Sequence, residues 1–297
     1  MSTTTLARPS PAIGTDTGRG PRRHHRRSQR NPLGAGAAFV WLAFALVPLY
    51  WIVVTSLRDQ AGFFAANPLA IPSDPTFDNY RLVLESGFFT YLFNSVVVTA
   101  AAVLLILGVC IIAAYAIVRG TGRMVRTSFR FFLLGLAIPL QATIIPVYYI
   151  ITRLRLYDTL AAIVLPSVAF AIPLTVIILV NFLRDVPDEL FDSMRLDGAG
   201  DWRILWSLVL PLTRPAVITV AVYNALHVWN GFLFPFILTQ SPETRVLPLS
   251  LVSFQGEFTI NVPAVLAAVV LSTLPLLALY IVGRRYLVSG LTAGFSK

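Results

Sequence analysis

Six stretches of this chain contain no Asp, Glu, Lys or Arg: 31–57, 86–118, 131–152, 159–183, 215–242 and 258–283. The shortest is 22 residues long. A helix needs roughly 20 apolar residues to cross the hydrocarbon core of a bilayer, so each stretch is long enough for one span. The sequence therefore predicts an all-α, polytopic membrane protein with six transmembrane helices, at about 34–56, 91–118, 131–152, 160–183, 215–239 and 262–283. The charged fraction is 12%, about half that of a soluble domain. Prolines fall inside several windows, among them Pro48, Pro139, Pro166, Pro173 and Pro275. Spanning helices tolerate them when neighbours satisfy the freed backbone groups.

Orientation follows from the basic residues between the windows. Segments 1–30, 119–130, 184–214 and 284–297 carry 18 Lys and Arg, and the intervening 58–85, 153–158 and 243–257 carry 5. The bias places both termini and the 184–214 loop in the cytoplasm of a multi-pass cell-membrane protein. Residues 1–30, ending "RGPRRHHRRSQR", read as a disordered basic cytoplasmic tail ahead of a transmembrane domain at 31–297. His24 and His25 lie inside that arginine cluster and read as solvated groups rather than metal ligands. The net charge of +9 is spread in short clusters between apolar spans, which suits a lipid surface and not nucleic acid. Lys297 is the one lysine. A phosphate-cradling loop needs an internal lysine, so ATP-driven work falls to a partner. The chain reads as a non-enzyme with no cofactor and no metal site.

The 184–214 loop is an island of charge, "DELFDSMRLDGAGDWRILWSLVLPLTRP" from Asp188 to Pro215. Pro187 suits the first position of a helix, and Asp188 and Glu189 in its first turn favour the helix dipole. Leu190, Phe191, Met194 and Leu196 make an apolar stripe. Gly198 and Gly200 permit a sharp turn, and Trp202, Leu205, Trp206 and Val209 resume a helical pattern. An apolar ridge on a cytoplasmic helix fits a groove in a partner. The acidic turn argues against the alternative of a helix lying flat on an anionic leaflet.

This stretch resembles the cytoplasmic signature loop of ABC importer permease subunits, roughly E-A-A, three residues, G, nine residues, I-x-L-P. Asp192, Ser193 and Met194 stand at the triad, Gly198 sits in "DGA", and Pro211 closes "VLP". "VPDELFDSMRLDGAGDW", the 227–258 segment and the ending "SGLTAGFSK" are similar to the carbohydrate, maltose-type branch, whose usual Glu is replaced here by Gly231. The resemblance implies half of a sugar pathway formed with a second permease subunit. It also implies two ATP-binding cassette ATPase subunits and an extracytoplasmic solute-binding protein. The loop would dock as a coupling helix, with Phe191, Met194 and Leu196 as knobs and Asp197, Gly198 and Ala199 shaping the turn. Trp202 and Trp206 would pack the loop on the bundle.

Polar groups inside the windows are candidates for a substrate pathway: Gln141, Asn224, His227 and Asn230, with Asn94 and Asn181 beside them. Each also reads as a hydrogen bond between helices. An importer of another solute, such as a polyamine or phosphonate, remains an alternative. An ion-gradient-driven transporter fits less well, because it would carry acids or bases within its spans.

Overall fold

A computed structural model describes residues 32–65, 67–254 and 260–293. The basic tail, the 255–259 segment and the last four residues lie outside the described residues. The described chain is all-α, with no strand among the described residues. Contacts divide it into two compact units, Met1–Val47 and Pro48–Lys297.

Helix α1 (Pro32–Ser56) is almost wholly apolar and exposed along residues 34–50. The short helices α2 (Gln60–Ala65) and α3 (Asp78–Glu85) follow it. Buried Arg58 organises the connection between them by donating to the Asn67 carbonyl at 2.9 Å. Asn79 donates to the carbonyls of Ser56 and Arg58 at 2.9 and 2.6 Å.

The core forms around α4 (Phe88–Arg119), which starts after Gly87 and stops at Gly120. Val98, Ala102, Ile106, Cys110 and Ala114 are all buried. Their spacing of four traces one ridge along the helix. Small side chains on that ridge let a second backbone come close. The partner is α7 (Leu160–Arg184), capped by Thr159, whose hydroxyl accepts from the Ala162 N–H. Its residues Val168, Ala171, Val176 and Leu179 belong to the same core.

Between them lie α5 (Arg123–Gly135) and α6 (Ile144–Arg153). The 123–135 and 140–153 segments are bent by 98°. The Pro139 break accounts for the bend, since proline disfavours a helical conformation in the residue before it. A Cβ on Gly135 would come within 2.8 Å of the Pro173 ring, so glycine lets α5 rest against α7.

The second half holds α8 (Asp188–Leu196), α9 (Asp201–Ile204), a π-helical turn at Leu205–Val209 and α10 (Leu210–Trp229). From Asp201 to Trp229 these form one continuous 29-residue helix. The π turn has a sequence cause. Pro211 has no N–H and its ring clashes with the carbonyl four residues back. The ladder widens just before it, and the Leu210 N–H reaches back to Leu205 O. The chain ends with α11 (Leu233–Leu238), α12 (Leu247–Ser250) and α13 (Val262–Ala293).

Four helices among the described residues are long and apolar enough to cross a membrane, or five if the bent α5–α6 pair is one span. Among the described residues, α13 contributes a further apolar helix over Val262–Ala278. Charge-free windows and helices therefore differ. The window at 215–242 contains the end of one long helix, the Asn230–Gly231–Phe232 break and α11.

Candidate functional site

Two places collect the functional candidates. The first is the loop at the Arg119 end of α4. Helix α8 ends in a hydrogen-bonded reversal: the Ala199 N–H donates to Met194 O at 2.9 Å and the Gly198 N–H to Arg195 O at 3.0 Å. This pair of bonds is a Schellman cap, which places a left-handed residue just beyond the helix. That residue is Gly198, with φ +79°. Asp197 is the C-cap, and its N–H donates to Ser193 O at 3.0 Å. Ala199 is buried and Met194 packs against the same core, so both ends of the cap are tied to the bundle.

The remaining triad residues turn elsewhere. The Ser193 hydroxyl donates to Leu190 O at 2.9 Å. An Asp192 carboxylate oxygen lies 3.8 Å from Arg119. Pro211 is exposed beside the π turn.

Phe191 is not an exposed knob. It is 1% exposed, and the Arg119 guanidinium sits 4.4 Å from its ring centroid. The residue that projects is Leu196, 89% exposed, with Leu190 also on the surface. Helical phase explains the difference: five positions separate Phe191 from Leu196, which is about 140° around the axis.

The tryptophans lie at the rim of the bundle. Ile204, Leu205 and Val209 are buried in it, whereas Trp202 and Trp206, 61% and 56% exposed, line a small cleft with Gly108, Ile111 and Ile112 of α4. Their rings meet edge to face, centroids 6.2 Å apart. Two residues of α4, one unmarked in the sequence and one read only as a charge, hold the loop down. The Tyr115 hydroxyl donates to Asp201 at 2.8 Å, and Arg119 donates to Asp188 at 2.5 Å. Arg195 adds a 3.2 Å bond to Asp201.

The second place is an open cleft of about 490 Å³ in the bundle. His227 and Asn230 line it with Tyr223, Ser167, Phe170 and Phe232. The rings of Tyr223 and His227 lie nearly parallel, 11° apart in tilt with centroids 6.1 Å apart. Gln141 is exposed in the turn beside Leu140, a lining residue. Asn224 lies elsewhere. It is buried and donates to the Thr175 hydroxyl at 3.0 Å, joining α10 to α7. Gly231 also lines the cleft, and a Cβ there would meet Val228 O at 3.0 Å.

At the far end of α4, Asn94 donates to the carbonyls of Glu243 and Arg245 at 2.7 and 2.8 Å. Asp158 clamps the same segment from the other side. It accepts from the N–H groups of Gln240 and Ser241, at 2.8 and 3.0 Å, and from the hydroxyls of Ser241 and Thr244. No local pattern marks this residue, because its partners are more than 80 positions away. The Gln240 N–H first, then the Ser241 hydroxyl, hold its carboxyl well below the usual carboxylate range. A depressed folded pKa stabilises above the ordinary value of about 3.9 and fades only as pH falls below it. Amide protection at Gln240 and Ser241 is therefore expected to be equal at pH 7 and pH 5. Asp158→Ala should lose it at both, as read by hydrogen exchange.

A bundle of long apolar helices that presents a capped, charged loop at one end and an open cleft within is the architecture of a membrane permease. Residues 106–292 match the family described as "Binding-protein-dependent transport system inner membrane component", and the chain belongs to that family. It is 38% identical to "Putative ABC transporter permease protein ORF2" of Caldicellulosiruptor sp., over 87% of this chain and 94% of that one. It is 31% identical to "Trehalose/maltose transport system permease protein MalG" of Thermococcus litoralis, over 88% and 94%. Its fold matches a chain of a bacterial ABC transporter "involved in the import of the acidic polysaccharide alginate". The TM-score is 0.75 at 22% identity, covering 86% of this chain and 95% of that one.

Proposed function

We propose that this chain is one of two permease subunits of an ATP-driven sugar importer, with six spans and both termini in the cytoplasm. The observation that carries this reading is the Gly198-capped loop, which holds Leu196 in the open at the end of a bundle of this family. In this reading α8 docks in a groove of a separate ATPase subunit, and a solute-binding protein delivers cargo at the opposite face. ATP binding biases a two-state bundle between inward and outward openings.

The cleft supports a carbohydrate as cargo. The Tyr223 and His227 faces and Phe232 offer apolar surface to a sugar ring, and Asn230 and Ser167 offer hydrogen bonds. His227 and Asn230 then form this chain's share of the pathway, with Gln141 at its edge. Asn224 acts as a link between helices. The trehalose/maltose permease relative makes maltose and trehalose natural probes.

The test is co-expression with a second permease subunit, the ATPase subunits and the binding protein, in proteoliposomes with radiolabelled maltose, trehalose, spermidine and methylphosphonate. Uptake of a sugar that requires ATP and all subunits is expected. Uptake of spermidine or methylphosphonate alone would replace the sugar reading. Uptake by the isolated chain without ATP would overturn the importer reading itself.

A further inference from the structure

Both limbs of the loop are fastened to the same turn of the same helix. Tyr115 and Arg119 are four residues apart and so share one face of α4. Arg119 holds the first limb. Its guanidinium covers the buried ring of Phe191 at 4.4 Å, pairs with Asp188 at 2.5 Å and lies 3.8 Å from Asp192. Tyr115 holds the second limb through Asp201, which Arg195 of α8 also reaches.

The Arg119 side chain is 15% exposed, whereas those of Asp188 and Asp192 are 81% and 67% exposed. The cation is thus fixed inside the bundle's end and the loop's acids come to it. The ring beneath and the two carboxylates above leave that guanidinium little freedom. Planar stacking and ion pairing together are properties of arginine rather than lysine. The loop's other attachments are apolar or run through the chain: Ala199, Ile204, Leu205 and Val209 are buried in the core cluster, three residues join α7 to α8, and α9 runs into α10 through the widened π turn at Leu205–Val209. Single π turns inside helices recur at functional sites.

We propose that Arg119, with Tyr115, is a positioning residue that makes the docking helix and α4 one lever, so that movement imposed on α8 is delivered first to α4. The inference rests on the reading that α8 docks in an ATPase subunit. It adds which spanning helix receives the motion and which side chains carry it.

The test uses spin labels at Glu189, exposed on α8, and Leu104, exposed on α4, in the assembled transporter. The Glu189–Leu104 distance is measured without nucleotide and after trapping with ADP and vanadate. In the parent chain the distance is expected to be the same in both states. In Arg119→Gln it should shift between states, with ATPase subunits still co-purifying and at least a tenfold rise in ATP hydrolysed per sugar imported. Arg119→Lys, which keeps the ion pair and loses the stacked plane, should fall between. A change of distance in the parent chain between states would overturn the lever, as would an Arg119→Gln protein with the parent's distances and coupling ratio. Should the parent fail to bind ATPase subunits, the docking reading falls. The latch then stands or falls on the permease alone, where Arg119→Gln must broaden the Glu189–Leu104 distance.

Discussion

Gly198→Val is expected to cut transport sharply while the bundle still inserts and is recovered in normal yield. Gly198 adopts φ +79° and a Cβ added there would meet nothing within 4 Å. The cost of a side chain is therefore conformational and not steric crowding. A left-handed conformation costs a non-glycine residue about 1–2 kcal/mol, and a β-branched residue suffers most. The turn can escape by giving up the Ala199-to-Met194 and Gly198-to-Arg195 bonds, which swings α8 away from its set angle. A penalty of that size lowers the population of the correct turn roughly 5–30-fold. Asparagine visits the left-handed region more readily than other side chains, so Gly198→Asn should stay near the parent and Gly198→Ala should fall between. Sugar uptake and co-purification of the ATPase subunit measure the series. Equal uptake by the Val and Asn variants would remove the left-handed turn from the account of coupling.

The second large effect separates two residues that the sequence groups in one apolar stripe. Phe191 is enclosed by its own chain, so Phe191→Ala should lower the stability of the permease by about 3–5 kcal/mol. Phe191→Asp should prevent recovery of folded protein. Leu196 touches little of its own chain. Leu196→Asp should leave the unfolding temperature of the isolated permease unchanged and abolish ATPase binding. Burying a leucine contributes about 1.5–3 kcal/mol, equivalent to more than tenfold in affinity, and a carboxylate in an apolar groove adds to the loss. Thermal unfolding and co-purification, measured side by side, give opposite patterns for the two variants. An ATPase subunit that binds Leu196→Asp as tightly as the parent would show that this face is not the docking surface.

The all-α class and the loop's turn were legible in the sequence because both depend on local features. Charge-free length defines apolar helices, and Gly198 after a helical stripe defines a left-handed cap. Leu196 was legible as an apolar residue of the loop, but its outward direction was not, since α8 ends one turn after Phe191. The tryptophans were legible only in part. Positions 202, 205, 206 and 209 fit one period, yet Leu205 and Val209 are buried while Trp202 and Trp206 stay more than half exposed beside Ile111 and Ile112 of α4. Arg119 counted only as one positive charge among 23, because its partners at 188, 191 and 192 are distant in sequence. Asp158 was invisible for the same reason. Asn224 could be read equally as pathway or as link, and only the Thr175 hydroxyl 49 positions away decides it.

The π turn at Leu205–Val209 has a consequence for how sequences of this kind can change length. A π turn holds one residue more than an α turn for the same advance of the ladder. Deleting a single residue between 205 and 209 would restore regular α spacing and leave the segments before and after it close to their present rotation. Asp201 would keep its place beside Tyr115, and Tyr223 and His227 theirs in the cleft. One missing codon here would be absorbed, whereas one missing within Leu210–Trp229, where the spacing is already α-helical, would turn everything before it by about 100° relative to everything after it.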